Sequence, residues 1–286
     1  MILEVSKEKS MIYNSLNIAE EVNKNGYIQI NDFFNLNDFN LIQNIIKNYQ
    51  VKKGGSASQF PLSIKSYIVK LAKLEIKKIY DAILLKKISK SYNFKEISDK
   101  IFDEQTILQN IDTYYNNISS EPVLDWHCDL SNKSSIKQNK ILNPKMASIK
   151  FFFYLTDVYT DNGCLSYIPG SHKIVKEIGS LIFKKEIKYK NFWSLENLVN
   201  FAKEENVKQK LIKNLNQEEV EKFFDNASKI LNEKKNDIFD IPMKKGGMII
   251  FDEYGVHRGS KTKFTPRKVI RYFYRRKNIN EKFRYC

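Results

Sequence analysis

The stretch ASIKFFFYLTDVYTDNGCLSYIPGS, residues 147–171, largely determines the fold class of this chain. Its first part, ASIKFFFYLTDV (147–158), is short and dense in aromatic and β-branched residues, which indicates a strand buried in a sheet. DNG (161–163) is a strong turn signal, and the following CLSYIPGS indicates another strand that ends in a turn. Two strands joined in this way favour an antiparallel sheet.

Three further segments extend the β pattern on both sides of this stretch. TILQNIDTYYN (106–116) precedes it, MKKGGMIIFDEYGVHRGS (243–260) indicates a glycine-marked turn, a strand and a bend, and RKVIRYFYRR (267–276) indicates the last strand. In that strand, alternation places one set of side chains on one face: Arg267, Val269, Arg271 and Phe273. Strands without regular helical crossovers favour an antiparallel sandwich or barrel over a doubly wound sheet.

Helical patterns occupy three other regions. NGYIQINDFFNLNDFNLIQNIIKNYQ (25–50) indicates a short strand and then a helix capped by Asn35 or Asn37. Residues 177–240 lose the β pattern, which predicts a helical insertion between two strands, where a lid or substrate-binding element would lie. Residues 62–90 predict an amphipathic helix, and one face carries Ile68, Ala72, Ile76, Ile79 and Ile83.

The composition is that of a globular enzyme-sized chain. Its 286 residues are 42% hydrophobic and 13% aromatic, which is enough for a substantial core. No apolar run approaches the ~18 residues of a membrane span, and no secretory signal is visible, so we expect a cytoplasmic location. The 3 cysteines form no CxxC pair, which argues against a disulfide scaffold and a thiolate metal site.

The net charge of +15 raises the question of an anionic partner. The lysines are spread along the chain among asparagine and isoleucine, as in LEIKKIYDAILLKKISKSYNF (74–94), which indicates solvated faces and disfavours nucleic acid as the partner. The alternative is an acidic or carrier-linked substrate, to which one group of lysines in the predicted insertion points: Lys184, Lys185, Lys188 and Lys190.

The chain has only 3 histidines, and one lies in DWHCDL (125–130). In a strand, His127 and Asp129 would share a face while Cys128 points the other way. With His257 from another strand they would form a two-histidine, one-carboxylate triad, which leaves three positions of an octahedral Fe(II) open. Taken singly, each motif is also compatible with a surface pair or with a histidine that bonds to its neighbour.

In combination, DWHCD, DNGCLSYIPGSHK and GGMIIFDEYGVHRGS…TPR resemble the phytanoyl-CoA dioxygenase family of Fe(II)- and 2-oxoglutarate-dependent oxygenases. The opening NGYIQINDFFNLNDFNLIQNII is similar to the start of that family, so the resemblance runs from about residue 24 to residue 274. It implies a double-stranded β-helix, or jelly roll, with flanking helices, in an α+β fold with a mainly β core. It also implies a single domain over 1–286 with a helical insertion or lid at about 177–240.

The resemblance assigns site residues by position. His127, Asp129 and His257 match the iron ligands, and Arg267 matches the arginine that pairs with the distal carboxylate of 2-oxoglutarate. Ser260 is the nearest match to a hydroxyl that assists this arginine. The remaining assignments are Gln109 and Tyr114 as co-substrate or substrate contacts, Lys150 and Arg271 as cations facing the barrel interior or its rim, and His172 as part of the turn beside the site.

The implied reaction uses Fe(II), 2-oxoglutarate and O2 to hydroxylate an unactivated C–H bond of a small molecule, with formation of succinate and CO2. An intact carboxylate at Asp129 favours hydroxylation over halogenation, whereas desaturation, epimerisation and ring formation stay open. Two alternatives remain: a non-catalytic binding protein of the same fold, and an oxygenase acting on nucleic acid.

Overall fold

A computed structural model describes residues 14–49, 58–131 and 144–277. The strands in this part of the chain are β1 Tyr27–Ile30, β2 Ser58–Gln59, β3 Thr106–Asn116, β4 Leu124–His127, β5 Ser148–Tyr154, β6 Leu165–Tyr167, β7 Asp240–Ile241, β8 Met248–Asp252, β9 His257–Gly259 and β10 Arg267–Arg276. They form a six-stranded sheet in the order β1-β8-β5-β10-β3-β2 and a four-stranded sheet in the order β4-β9-β6-β7. All pairings between these strands are antiparallel.

The two sheets face each other. Phe152 and Phe251 from the larger sheet share one buried cluster with Leu165 and Tyr167 from the smaller sheet. Face-to-face antiparallel sheets joined by such a cluster form a sandwich. The predicted fold class, a jelly-roll core with flanking helices, is confirmed.

Strand β5 lies in the interior of the larger sheet, between β10 and β8, and all of its residues are buried. Its odd-numbered side chains pack into the larger hydrophobic core: Phe151 stacks on Phe94, with ring centroids 4.3 Å apart, and Phe153 meets Phe34 edge-on at 4.4 Å. Its even-numbered side chains, Phe152 and Lys150, point to the space between the sheets. Burial on both faces explains the continuous apolar run, and alternation explains why a lysine inside that run faces the interior.

Strand β10 shows the predicted alternation. Val269 packs between the sheets with Arg267 and Arg271 on the same side, whereas Ile270 and Tyr272 pack into the helix-covered core. The strand pairs with β5 on one edge and with β3 on the other. Two arginines are thereby carried into the interior of the sandwich.

Nine helices lie within the described residues: α1 Ser15–Asn25, α2 Leu36–Ile46, α3 Ile64–Ala72, α4 Ile76–Ser91, α5 Phe94–Phe102, α6 Ser171–Phe183, α7 Leu195–Ala202, α8 Glu205–Asn214 and α9 Gln217–Leu231. Asn35 caps α2, because its side-chain oxygen accepts a hydrogen bond from the Asp38 amide, so the first of the two predicted caps is the one used. None of these helices is both long and apolar enough to cross a membrane.

The amphipathic helix predicted over 62–90 is wrong in two respects. The chain breaks into α3 and α4 at Leu74, whose φ of 55° cannot continue a helix. The face expected to be buried is exposed; Ile68 is 60% exposed. The buried apolar positions of α4 are instead Ala82, Leu85 and Ile88, because isoleucines and leucines occur on several faces of this lysine-rich segment and packing selects among them.

The helical segment predicted between two strands is present as α6–α9, which lie between β6 and β7 in the chain. It begins at Ser171, earlier than predicted. The segment contacts the strand that holds His127: the Cys128 amide donates to the Trp193 carbonyl over 2.9 Å, and the Trp193 ring centroid lies 5.3 Å from that of His127. The segment that connects α6 and α7 therefore packs against β4.

Candidate metal centre

Two histidines and one aspartate converge where β4 and β9 pair. His127 and His257 are partners in the antiparallel register, and their ring centroids are 4.4 Å apart. Asp129 follows β4 directly, in the 3-10 turn Asp129–Ser131. One ligand atom from each of the three residues lies within 4.8 Å of the others. This is the spacing of a set that can hold a single metal ion.

His127 and Asp129 lie close together, but not because they share one face of a strand, as the sequence predicted. Strand β4 ends at His127, so the two residues do not share a strand face. The turn brings the carboxylate back instead: Asp129 Oδ1 lies 3.5 Å from His127 Nε2, and Asp129 Oδ2 lies 3.9 Å from His257 Nε2.

Backbone carbonyls orient both imidazoles. His127 Nδ1 lies 2.6 Å from the Asp125 carbonyl oxygen, and His257 Nδ1 lies 2.8 Å from the Gly255 carbonyl oxygen. Because a carbonyl can only accept, each Nδ1 carries the proton, and each Nε2 presents a lone pair to the centre. Such outer contacts are typical of metal-binding histidines.

The charge states suit a divalent cation. Burial, and then the proximity of His127, lowers the pKa of His257 to about 3, so this imidazole is neutral near pH 7. Burial alone would raise the pKa of Asp129, but the Lys150 ammonium and the two imidazoles hold it well below its usual range. The neutral His257 imidazole, the His127 imidazole and the ionised carboxylate together are a donor set for a transition metal such as iron.

The three residues open onto a cavity of about 630 Å³ between the sheets. This size is in the range of small-molecule sites. Its inner wall is formed by Tyr114, Asn116, Lys150, Phe152, Leu165, Phe251, Arg267 and Arg271. The rest of its lining consists of Asn117, Ser119, Glu121, Pro122, Val123, Leu124, Gly259 and Thr262.

Arg267 is the unusual charge in this cavity. Its side chain is 1% exposed, yet its guanidinium donates only to neutral groups. The acceptors are the Asn116 side-chain oxygen at 2.9 Å, the Tyr114 hydroxyl at 3.1 Å and the Gly163 carbonyl at 3.2 Å. By contrast, Arg271 forms a bidentate pair with Asp112. A buried guanidinium without a carboxylate partner among the described residues is suited to bind an anionic ligand.

The other predicted site residues lie in different places. Tyr114 is in the cavity and hydrogen-bonded to Arg267. Gln109 accepts a hydrogen bond from the Ser148 hydroxyl and is not part of the cavity wall. Ser260 is fully buried, donates to the Cys164 carbonyl and is also outside the wall, where Thr262 is found instead.

Cys128 points away from the centre, as predicted. Its thiol is buried and donates to the Phe192 carbonyl, in the core behind β4.

The lysines that suggested an acidic substrate, at positions 184, 185, 188 and 190, do not line the cavity, and Lys190 pairs with Glu204.

Sequence reasoning missed Asp112, Asn116 and Glu253. Asp112 and Asn116 share the face of β3 that carries Tyr114, so alternation from Tyr114 identifies both. Glu253 gives no such signal, because it follows the end of β8 and reaches Lys150 only through the register of β8 against β5.

His172 is buried away from the centre. Its Nε2 lies 3.1 Å from the Asn23 carbonyl oxygen, and its Nδ1 has no hydrogen-bond partner among the described residues. Burial lowers its pKa from 6.5 to about 4, so the folded protein holds it neutral at pH values where an unfolded chain takes up a proton. Its contribution to stability is therefore complete above about pH 6.5 and declines as the pH falls towards 4.

We expect this histidine to make the protein acid-sensitive. Between pH 8 and pH 5 it should remove about 2 kcal/mol from the free energy of unfolding. Urea unfolding of the wild type and of His172→Gln at both pH values measures this, because glutamine keeps a donor for Asn23 and does not titrate. The variant should lose about 2 kcal/mol less than the wild type. Equal losses in both proteins would show that His172 does not titrate differently in the folded state.

Comparison with known proteins extends these observations. The family model described as Phytanoyl-CoA dioxygenase (PhyH) matches residues 22–269. No curated protein sequence matches the chain.

Several solved structures share the fold. The non-heme alpha ketoglutarate-dependent carbocyclase SnoK from nogalamycin biosynthesis has a TM-score of 0.52 and 12% identity, over 93% of this chain and 87% of SnoK. HygX from Streptomyces hygroscopicus, solved with iron bound, has a TM-score of 0.51 and 10% identity, over 94% of this chain and 93% of HygX. EctD from S. alaskensis, solved with 2-oxoglutarate and 5-hydroxyectoine, has a TM-score of 0.52 and 14% identity, over 90% of this chain and 74% of EctD. At such identities the likeness shows the fold alone.

Proposed function

Since the chain belongs to the phytanoyl-CoA dioxygenase family, we propose that it is a Fe(II)- and 2-oxoglutarate-dependent dioxygenase that hydroxylates a small molecule. One observation carries the proposal: the metal-binding triad and the uncompensated Arg267 guanidinium face the same cavity. A metal-binding triad and a site for a carboxylate are the two elements that an enzyme with a chelating diacid co-substrate requires.

His127 Nε2, His257 Nε2 and Asp129 would hold Fe(II). Two imidazoles and one carboxylate are the donor set that non-haem Fe(II) oxygenases use. Bound iron supplies the oxidising chemistry: it couples conversion of 2-oxoglutarate and O2 into succinate and CO2 to oxidation of a C–H bond. The neutral state of His257 favours this role, since a protonated imidazole cannot be a ligand.

The other cavity residues would bind and orient the co-substrate and shield the reacting centre. Arg267 would pair with the distal carboxylate of 2-oxoglutarate, and Tyr114 and Asn116 fix the guanidinium for this contact. Phe152 and Phe251 give the cavity an apolar wall that excludes water from the reacting centre.

The substrate we propose is an uncharged polar molecule of modest size. Lys150 and Arg271 already have carboxylate partners, and Arg267 is assigned to 2-oxoglutarate, so no described cation of the inner wall is left for an acidic substrate. The exposed part of the lining offers Asn117, Ser119 and the Glu121 carboxylate, which can accept or donate hydrogen bonds to hydroxyl or amide groups but provide no cation. This charge balance favours an uncharged substrate over the acidic one that the lysine distribution indicated.

The domain organisation belongs to the same proposal. We infer one catalytic domain over the whole chain, in which the helices between β6 and β7 act through β4. The contacts of Trp193 with Cys128 and His127 support this role. Within the described residues, nothing from 177–240 lines the cavity, so a lid function would require these helices to move.

Anaerobic reconstitution tests the function. We expect purified protein with Fe(II) to convert 2-oxoglutarate to succinate once O2 is admitted, slowly without substrate and faster with the correct one. Calorimetry with Mn(II) in place of Fe(II) should show metal-dependent 2-oxoglutarate binding. Metal binding without any 2-oxoglutarate binding or turnover would instead support a non-catalytic binding protein. Steeply salt-dependent binding of a generic oligonucleotide would support the nucleic-acid alternative.

A further inference from the structure

A buried lysine adjoins the metal-binding carboxylate. The Lys150 side chain is 9% exposed, and its Nζ donates to Asp129 Oδ2 over 2.6 Å. The same Nζ lies 3.3 Å from Glu253 Oε2. Its remaining surroundings include the rings of Phe251 and Phe273, at 5.7 Å and 5.4 Å from their centroids. In such apolar surroundings a charge acts strongly on its neighbours.

Lys150 also determines which oxygen of Asp129 is available. Asp129 Oδ2 accepts the lysine hydrogen bond, whereas Oδ1 is the oxygen nearer His127 Nε2. A carboxylate held in this way offers one oxygen to a metal and keeps the other on the ammonium.

Glu253 anchors the lysine from the other side. Its Oε1 accepts a hydrogen bond from the Ser148 amide over 2.8 Å, so the carboxylate is fixed at the end of β5. Glu253 is not part of the cavity wall, and its charge reaches the metal centre through Lys150. The two residues form a buried pair with one charge of each sign beside the site.

The fixed charges around the metal centre balance when the exposed Glu121 of the cavity lining is left aside. Three cations and three carboxylates lie in or beside the cavity: Lys150, Arg267 and Arg271, and Asp129, Glu253 and Asp112. A divalent metal and dianionic 2-oxoglutarate add equal and opposite charge, so the loaded site is again neutral. Loss of any single charge of this set would leave a net charge in a region of low dielectric.

We propose that Lys150, held by Glu253, is a positioning residue that sets the charge of the metal centre: it restrains metal affinity and strengthens binding of 2-oxoglutarate. This inference rests on the proposed function, since it needs a metal and an anionic co-substrate in the cavity. In this role Lys150 does more than orient Asp129, because its charge changes the affinities for both ligands. A residue that only oriented Asp129 would, when removed, weaken metal binding.

The test measures two affinities, for Mn(II) and for 2-oxoglutarate, which we expect to change in opposite directions. Calorimetry at pH 8 would measure Mn(II) binding to the full-length protein, and then 2-oxoglutarate binding to the Mn(II)-loaded protein. For Lys150→Met we expect Mn(II) to bind about 10-fold more tightly and 2-oxoglutarate about 10-fold more weakly. For Glu253→Gln we expect the opposite changes, namely weaker Mn(II) binding and tighter 2-oxoglutarate binding. Lys150→Arg, which keeps the charge, is the matched control and should stay within about threefold of the wild type for both ligands.

Weaker binding of both ligands by Lys150→Met, or unchanged binding, would overturn the inference, because loss of structure or of orientation moves both affinities in one direction. If Lys150→Met does not fold by circular dichroism, Glu253→Gln decides alone: tighter Mn(II) binding by this variant refutes the inference. A wild type that binds neither Mn(II) nor 2-oxoglutarate refutes the proposed function itself, which is a different result.

Discussion

His257→Ala is expected to abolish 2-oxoglutarate turnover and to weaken Mn(II) binding by at least about 100-fold. The reason is that His257 would supply one of the three proposed protein ligands, and loss of even an outer contact to a ligand typically weakens metal binding 10- to 100-fold. Its Nε2 faces Asp129 across the centre, so alanine leaves a gap that water fills less effectively than imidazole. Succinate formation and Mn(II) calorimetry measure the two effects, and His127→Ala should behave in the same way.

The third histidine provides the control. His172 is buried to a similar extent but lies against the Asn23 carbonyl, away from the triad. His172→Gln should therefore retain wild-type turnover near neutral pH, while circular dichroism confirms that all the variants are folded. Full turnover in His257→Ala or His127→Ala would exclude the proposed iron ligands.

The β core could be predicted because its sequence has little freedom. Strand β5 is covered on both faces, so every position must be buried, and β10 alternates because its two faces meet different layers. The helical region 62–90 lacked this constraint. Its apolar residues occur on several faces, and the break at Leu74 and the burial of Leu85 depend on contacts with distant segments.

The triad could be predicted for a simpler reason than strand geometry. Two residues separated by one position are always close in space, so His127 and Asp129 can share an ion in a strand or in a turn. The sequence pattern therefore led to the same pair although Asp129 lies in a 3-10 turn. His257 was a candidate because it was predicted to end a strand, and the family resemblance supported it; the pairing of β9 with β4 is what brings it to the other two.

The charged surroundings of the triad were the least predictable part. Lys150 meets Glu253 through the register of β5 against β8, and Asp112 meets Arg271 through the register of β3 against β10. A shift of one residue in either register would turn these side chains to the opposite face. Sequence alone identifies the charges but not their partners, and the partners determine whether an acidic substrate finds a free cation.

Arg267→Gln is expected to raise the 2-oxoglutarate concentration needed for half-maximal turnover by at least about 100-fold, and Arg267→Lys by about 10-fold. Hydrogen-bonded pairs of charged groups contribute roughly 1.5–3 kcal/mol or more, and lysine keeps the charge but loses the bidentate geometry. The fold should survive both changes, since the acceptors Asn116, Tyr114 and Gly163 are neutral and no buried carboxylate loses its partner.

The matched control for Arg267 is its neighbour on the same strand. Lys268 carries the same charge, but its Nζ lies over the Tyr115 ring and its side chain is not part of the cavity wall. Lys268→Gln should leave the 2-oxoglutarate requirement within about twofold, because a half-exposed charge outside the cavity is screened. Mn(II) affinity should change little in Arg267→Lys, which separates a loss of co-substrate binding from damage to the metal centre. Equal 2-oxoglutarate requirements in Arg267→Gln and the wild type would mean that the guanidinium binds something other than the co-substrate, and an acidic substrate would then become the natural ligand of Arg267.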